Sequence, residues 1–424
     1  MSDSLSKSAS SYPRYHQRLE ISSKKSHFVS NKERRNRSWP QEKPSVWIDG
    51  RRPWDIEDPT NDPSCSYDTA KALLPSSHPV NFFSLTLDDL KSLLQKMGHS
   101  SFRAQQLYKW IYDKKIEEPH EMSNLSKEFR QQIPQIFDFK LPQLKYRSKS
   151  ADGTEKFLFE LRDGNTIETA LIPADDRLTI CLSSEVGCNM ACRFCYTGKQ
   201  KLKRRLTTDE IVGQFYKVEQ LIAPRRITNI VFMGMGEPLD NPEAVFKTIE
   251  ILHSSFGRQF SRKKITVSTC GIVPEMWRVA ASHTLLAVSL NGYDNQSRTQ
   301  IMPINQKYPI EMLLQECKKY VEFTKEKVTF EYVLLKGYTD QLDHAQKLYQ
   351  LTRSIPCKIN IIPFNEHPNS GFERPDESQI AKFQNYLISL GAHVLRRRTM
   401  GRDIEAACGQ LTSRKPHLQQ SPAS

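Results

Sequence analysis

The sequence predicts an α/β protein in which a basic N-terminal arm and a small helical module precede six strand–helix units. Apolar, strand-like runs alternate with helical patterns from about residue 179 to residue 390, which is typical of a parallel sheet covered by helices. Near residue 156 the apolar spacing changes from a helical period to a period of two. Periodicity alone leaves open whether the sheet stays flat or curls into part of a barrel.

The N-terminal arm, residues 1–80, is rich in Ser, Pro and charged side chains, which predicts disorder. Residues 1–52 contain twelve Lys or Arg against five Asp or Glu, so they carry about half of the formal net charge of +13. A degenerate organelle transit peptide is the alternative. Scattered acids such as Asp3, Glu20 and Glu33 argue against it.

Composition also limits the class of protein. Nine cysteines at irregular spacing and no apolar signal sequence argue against a secreted disulfide framework. No stretch approaches the ~18 apolar residues that a membrane span needs. Basic clusters at 199–205 and 396–398 favour a polyanionic partner, for which nucleic acid is the natural candidate. We therefore expect a cytoplasmic protein that binds no membrane.

Residues 81–150 are predicted to form the helical module. The run SLTLDDLKSLLQKMG has apolar residues at helical spacing, a Ser or Thr to cap it and Gly98 to end it. FRAQQLYKWIYDKK and SKEFRQQI predict two further helices. We expect a second domain at 151–412 and a flexible tail at 413–424.

The second domain begins with a predicted hairpin, because KFLFEL and TIETALI flank Asp163-Gly164. Strands are predicted near 179–184, 227–233, 264–269, 284–290, 327–335 and 358–364. Helices are predicted at 207–222, 242–255, 309–323, 340–354 and 377–390, with a shorter one near 274–282.

Three cysteines follow the first parallel strand in the run GCNMACRFCYTG. Cys188, Cys192 and Cys195 can hold three corners of an iron–sulfur cube and leave the fourth iron open for chemistry. The alternative is a structural zinc site completed by Cys181 or Cys408. Zinc sites usually pair two short Cys arms some distance apart, and this triplet does not. Its position predicts a site at the carboxyl edge of the sheet.

The triplet resembles the signature of the radical S-adenosylmethionine (SAM) superfamily. GMGEP, which follows the next strand, resembles the segment that holds the amino group of SAM, and it contains Gly236 and Glu237. Other strand ends are candidates for the same cofactor. They are Ser268, Ser289, Leu290, Asn291 and Asn365.

Further motifs are similar to those of the RlmN family of dual-specificity RNA methyltransferases. They are IETALIPADDR, CLSSEVGCNMACRFC, GMGEP, STCGIVP, MPIN and DIEAACGQL. The related Cfr family shares most of them, and Pro238 after Gly-Glu favours RlmN. The resemblance covers about residues 81–412 and implies a partial (β/α)6 radical SAM barrel.

The resemblance also implies a reaction, in which a methyl group is added to carbon 2 of adenosine in 23S rRNA and in tRNA. The implied cofactors are a [4Fe–4S] cluster and SAM, and the implied partner is an electron donor such as flavodoxin or ferredoxin. By motif, Cys408 carries the methyl carbon, Glu168 accepts a proton, and Cys181 forms a disulfide with Cys408 to release the product. The chain is expected to act as a monomer.

Two alternatives accompany this interpretation. One is a Cfr-like enzyme that makes 8-methyladenosine, and the other is a non-catalytic, metal-stabilised RNA-binding protein. The sequence departs from the family at Ser289-Leu290-Asn291, where the usual third residue is His. Asn can donate and accept a hydrogen bond but cannot titrate, so a SAM contact at Asn291 is less secure than one at Glu237.

Overall fold

The structure is a computed structural model that describes residues 79–368 and 370–412. The predictions of a disordered arm and of a flexible tail at 413–424 therefore lie outside the described residues, apart from the last two residues of the arm. Val80, the last residue of the predicted arm, already belongs to a short strand.

Three helices form the predicted module. α1 (Leu87–Lys96) begins with a capping box in which Thr86 and Asp89 bond each other's backbone N–H groups, and it is followed by Gly98 at a φ of +79°. α2 (Phe102–Tyr108) continues as a π-helical turn, and α3 (Lys127–Ile136) is capped by Ser126. Two short parallel strands, β1 (Val80–Asn81) and β2 (Phe137–Asp138), join the two ends of the module.

An antiparallel segment follows the module. The predicted hairpin is confirmed as β4 (Glu155–Glu160) and β5 (Thr166–Ala174), and a strand that was not predicted, β3 (Gln143–Lys149), pairs with β4. β5 pairs in turn with β6 (Arg177–Cys181), the first strand of the parallel region. The hairpin is therefore part of the main sheet.

The parallel region contains the six predicted strands and one more. A short antiparallel pair, β7 (Glu185–Val186) and β8 (Arg204–Arg205), follows β6 and is separate from the main sheet. The remaining strands of the parallel region are β9 (Asn229–Phe232), β10 (Ile265–Thr269), β11 (Leu285–Ser289), β12 (Val328–Leu334), β13 (Cys357–Pro363) and β14 (Val394–Arg396). β14 was not predicted, because it is only three residues long and mostly exposed.

The predicted helices between the strands are also present. They are α4 (Thr208–Leu221), α5 (Pro242–His253), α6 (Trp277–Ala281), α8 (Ile310–Thr324), α9 (Leu342–Thr352) and α10 (Glu377–Ser389). A polar helix that was not predicted, α7 (Asn295–Ile301), begins with a capping box at Asp294. Its only apolar residue is Ile301, so it lacks an apolar stripe by which to recognise it.

The ten strands form one sheet in the order β14-β13-β12-β11-β10-β9-β6-β5-β4-β3. In the described chain β3 and β14 do not pair with each other, so the sheet is open. Residues from β5, β6, β9 to β13 and the loops after them nevertheless line one cavity, so the sheet curves around it. The expectation of a partial (β/α)6 barrel is confirmed.

A buried side-chain amide joins the sheet to α4 just before the loop that holds Cys188, Cys192 and Cys195 (the cysteine loop). Gln214 is fully buried; its Oε1 accepts from the Thr169 hydroxyl and from Ser183 N, and its Nε2 donates to Ser183 O. These bonds fix the first residues that follow β6.

We expect Gln214→Leu to lower the free energy of unfolding by about 2 kcal/mol, because it leaves both backbone polar groups of Ser183 buried without this partner. Chemical denaturation followed by circular dichroism measures the change. Gln131→Leu, on the exposed face of α3, is the control and should change stability by less than about 0.5 kcal/mol. Equal stability of the two variants would contradict this assignment.

Candidate active site

The loop after β6 brings three thiols into one cavity, which Cys188, Cys192 and Cys195 all line. Cys195 N donates to Cys192 O at 3.1 Å, so the second and third cysteines share a turn. The loop is tightly packed, because a Cβ at Gly198 would lie 2.7 Å from the carbonyl oxygen of Cys192. The predicted triplet is thus part of a rigid loop at the carboxyl edge of the sheet.

The donor set of this loop fits an iron–sulfur cluster. Burial raises the pKa of all three thiols, and the charges of neighbouring cysteines raise it further, so the thiolates need a compensating cation. Within residues 79–368 and 370–412, no three His, Cys, Asp or Glu side chains are placed to share a metal ion. A zinc site needs donors that converge on one ion, whereas the thiols of a [4Fe–4S] cluster bind different irons.

The segment after β9 places a buried carboxylate on the wall of the same cavity. Gly236 has a φ of +101°, and a Cβ there would lie 2.5 Å from Glu185 Cβ, so glycine is required. Glu237 accepts hydrogen bonds from Leu239 N at 3.1 Å and from Cys270 N at 2.8 Å, while burial raises its pKa. Each carboxylate oxygen has a further lone pair, so Glu237 can still accept from an ammonium group.

Four of the five other candidates for SAM contacts also line the cavity. These are Ser268, Ser289, Asn291 and Asn365. The structure does not bring Leu290 to the cavity; its side chain is fully buried in the main hydrophobic core. Successive side chains at a strand end point to opposite faces, which separates Leu290 from its two neighbours.

Asn291 supports the wall as well as lining it. Its φ of +49° is left-handed, a region that Asn tolerates better than most residues. Its Oδ1 accepts from Val333 N at 2.9 Å and its Nδ2 contacts Met302 Sδ at 3.4 Å. The amide therefore links the ends of β11 and β12, a role that does not require a titratable group.

Asn365 offers an unused acceptor to a ligand. Its Nδ2 donates to Cys408 O at 3.1 Å, whereas its Oδ1 is buried and has no hydrogen-bond partner among the described residues. A buried acceptor without a partner is uncommon, and on a cavity wall it suits a donor group of a bound molecule such as SAM.

Two further thiols meet in the cavity, although they are far apart in the sequence. Cys181, at the end of β6, is buried, and Cys408 is exposed. Cys408 lies in the C-terminal segment, residues 401–412, and both cysteines line the cavity. Burial raises the pKa of Cys181 to about 12; the charge of Cys408 raises it as well, and Arg397 opposes both effects. The two sulfurs therefore lie close enough to interact electrostatically.

Hydrogen bonds hold the C-terminal segment against the cysteine loop. Tyr196 N donates to Gly409 O at 2.8 Å, and the Thr197 hydroxyl donates to Leu411 O at 2.6 Å. Cys408 is therefore held beside the loop that contains the triplet.

Besides Leu290, Glu168 is a predicted site residue that does not line the cavity. Its carboxylate is buried, forms an ion pair with Lys156 at 3.1 Å and accepts from Thr412 N at 2.8 Å. Sequence reasoning missed Lys156, and it treated Arg397 as part of a basic cluster, whereas Arg397 lines the cavity. A lysine in the otherwise apolar run KFLF was the available signal for Lys156.

The comparisons with known proteins agree with this geometry. Residues 183–348 match the Radical SAM superfamily, and residues 80–138 match the ribosomal RNA large subunit methyltransferase N-terminal domain. A dual-specificity RNA methyltransferase RlmN from Bdellovibrio bacteriovorus is 61% identical over 344 residues, which cover 81% of this chain and 86% of the relative. The RlmN of Geotalea uraniireducens is 45% identical over 79% of this chain and 97% of its own length.

The chain belongs to the RlmN family of dual-specificity RNA methyltransferases. The crystal structure of a radical SAM methyltransferase from Sphaerobacter thermophilus has a TM-score of 0.76 to it and 38% identity, over 79% of this chain and 100% of that one. This RlmN-family protein is therefore an enzyme that uses SAM and a [4Fe–4S] cluster. The alternatives of a structural zinc site and of a non-catalytic RNA-binding protein are not supported.

Fewer basic side chains of the RlmN-family chain are free than its sequence suggests. Arg204 pairs with Asp163 and Glu210, and Arg205 pairs with Asp240. Arg396 likewise pairs with Glu377, whereas Lys201 is exposed. In the described part of the chain, no helix is long and apolar enough to cross a membrane.

We expect Gly236→Ala to weaken SAM binding by at least about tenfold, because the new Cβ would overlap Glu185 and displace Glu237. Calorimetry with the reconstituted protein measures the affinity. Gly337→Ala is the matched control, since Gly337 also has a positive φ, of +75°, but its Cβ would meet nothing within 4 Å. Similar SAM affinity in both variants would show that Gly236 is not part of the SAM site.

Proposed function

We propose that this protein methylates carbon 2 of adenosine in 23S rRNA and in tRNA, with Cys408 as the carrier of the methyl carbon. The observation that carries the proposal is the single cavity in which Cys181 and Cys408 lie with the three cysteines of the loop. When bound, the cluster and SAM supply the methyl group and the radical chemistry that an electron-poor ring carbon requires.

Cys408 is suited to carry the carbon, because it is exposed and yet lines the cavity. Its backbone carbonyl accepts from Asn365 Nδ2, which fixes the residue relative to the end of β13. An adenine that reaches this sulfur must be exposed in its RNA or flipped out of the stack.

Cys181 is proposed to release the product. Its thiolate attacks the sulfur of Cys408, the new S–S bond forms, and the bond between that sulfur and the transferred carbon breaks. The electron pair of the broken bond stays on the carbon, which takes up a proton and leaves as a methyl group on the base. Arg397 favours the thiolate form of Cys181.

We propose that Glu168 accepts the proton that the base must lose, as its motif implies. Its carboxylate first has to leave Thr412 N and Lys156, since these contacts keep it off the cavity wall. The proposal therefore requires a rearrangement of the C-terminal segment during the reaction.

We propose further that the helical module and the basic run after the cysteine loop contact RNA phosphates. The protein is proposed to act as a cytoplasmic monomer that receives electrons from a donor such as flavodoxin or ferredoxin. The domain boundaries at 81–150 and 151–412 are part of this proposal.

The direct test supplies anaerobically reconstituted protein with SAM, a reductant and unmodified 23S rRNA or tRNA. Mass spectrometry of the nucleosides should detect 2-methyladenosine, and Cys408→Ala should abolish it. Recovery of 8-methyladenosine would contradict the proposal and favour a Cfr-like reaction.

Cys181→Ala should accumulate a covalent protein–RNA adduct through Cys408, because the thiol that resolves it is missing. Denaturing gels and peptide mass spectrometry measure the adduct. Cys317→Ala, which removes a buried core thiol, is the control and should turn over without an adduct. Turnover of Cys181→Ala without an adduct would refute the role assigned to Cys181.

Lys201→Ala should weaken binding equally for different RNA sequences and reduce the slope of log affinity against log salt concentration by roughly one. Filter binding at several salt concentrations measures the slope. Lys263→Ala is the control and should leave the slope unchanged. Lys263 lies just before β10 begins, at the edge of the sheet opposite the cysteine loop. A full slope in Lys201→Ala would exclude a phosphate contact at this residue.

A further inference from the structure

A buried ion pair contacts the C-terminal segment on both sides of Cys408. Lys156 Nζ lies 3.1 Å from Glu168 Oε1, and only 8% of the lysine and 1% of the glutamate side chain are exposed. Glu168 Oε2 accepts from Thr412 N at 2.8 Å, and Lys156 Nζ donates to Glu405 O at 3.3 Å. The two charged groups thus bind backbone atoms three residues before and four residues after Cys408.

Besides its bonds to the loop that holds the triplet, the segment has two contacts near its start that are open to water. Asp152 accepts from Gly401 N at 2.7 Å, and Asp403 accepts from the Ser150 hydroxyl at 2.6 Å, but both acids are exposed. Water competes for exposed polar groups, so these bonds hold the segment weakly. Water cannot replace the contacts of the buried pair unless the segment moves away.

The two charges of the pair favour the position in which the segment covers them. Removing either partner of a buried ion pair leaves the other charge without compensation, which is strongly unfavourable. Moving the segment away exposes the remaining charge to water and relieves that penalty. The position of the segment is therefore coupled to the integrity of the pair.

We propose that Lys156 is a positioning residue for Cys408, and that Lys156 and Glu168 form a buried anchor which holds residues 401–412 in place. This inference rests on the proposed function and deepens it. Glu168 holds the segment before it accepts a proton, and the anchor must open once in each turnover.

Hydrogen–deuterium exchange of the full-length, reconstituted protein under anaerobic conditions tests the anchor. In Lys156→Met, amides of residues 403–412 should exchange at least about tenfold faster than in the unaltered protein. Lys145→Met is the matched control, because Lys145 pairs with Glu160 on the neighbouring strands but both side chains are more than a third exposed. It should leave this exchange unchanged.

A second variant separates the anchor from general loss of folding. Thr412→Pro removes the amide that donates to Glu168 and leaves both charges paired, so it should also accelerate exchange in residues 403–411. Lys156→Arg keeps the charge and should restore part of the protection. Unchanged exchange in Thr412→Pro and in folded Lys156→Met would overturn the anchor; if Lys156→Met does not fold, Thr412→Pro decides.

A kinetic readout complements the exchange. Lys156→Met should lower kcat for RNA methylation at least about tenfold with little change in the KM for RNA, because the residue is buried. A rise in KM alone would count against a positioning role. If the unaltered protein makes no 2-methyladenosine, the proposed function fails while the exchange experiment still stands.

Discussion

Hydrogen bonds between the cysteine loop and the last described residues bring together the two sets of thiols on which the chemistry depends. Tyr196, Thr197 and Gln200 donate to the carbonyl groups of Gly409, Leu411 and Thr412, more than 200 positions away in the sequence. Each such bond contributes only about 1 kcal/mol. Together with the buried pair on the other side of the segment, they give Cys408 one defined position, and the loop that holds the triplet shares it.

Much of the fold follows from short-range patterns in the sequence. The hairpin around Asp163-Gly164 and six parallel strands could be predicted, because each combines a turn signal or an apolar run with the right spacing. β3 and α7 were missed because neither has a continuous apolar face. β3 is a mostly exposed edge strand whose only large apolar side chains are Leu144 and Tyr146, and α7 depends on its cap at Asp294 and not on an apolar stripe.

The site could be predicted in its residues but not in its contacts. Strand alternation could have separated Leu290 from Ser289 and Asn291, since only alternate side chains face the cavity. No local pattern could show that Thr412 N binds Glu168, because that contact joins positions 244 apart. Charge counting was similarly incomplete. Arg204, Arg205 and Arg396 are paired within the protein, so the net charge overstates what is available to RNA.

The acidity of the Cys181 thiol also depends on the state of Cys408. Burial raises the pKa of Cys181 to about 12, so this thiol is almost entirely protonated at neutral pH, and the thiol form is the less reactive one. Part of the shift comes from the charge of Cys408. Once the sulfur of Cys408 is bonded to a carbon it can no longer carry that charge, while Arg397 remains. The thiol that ends the reaction therefore becomes more acidic once Cys408 carries the methyl carbon, and it stays so until the adduct is resolved.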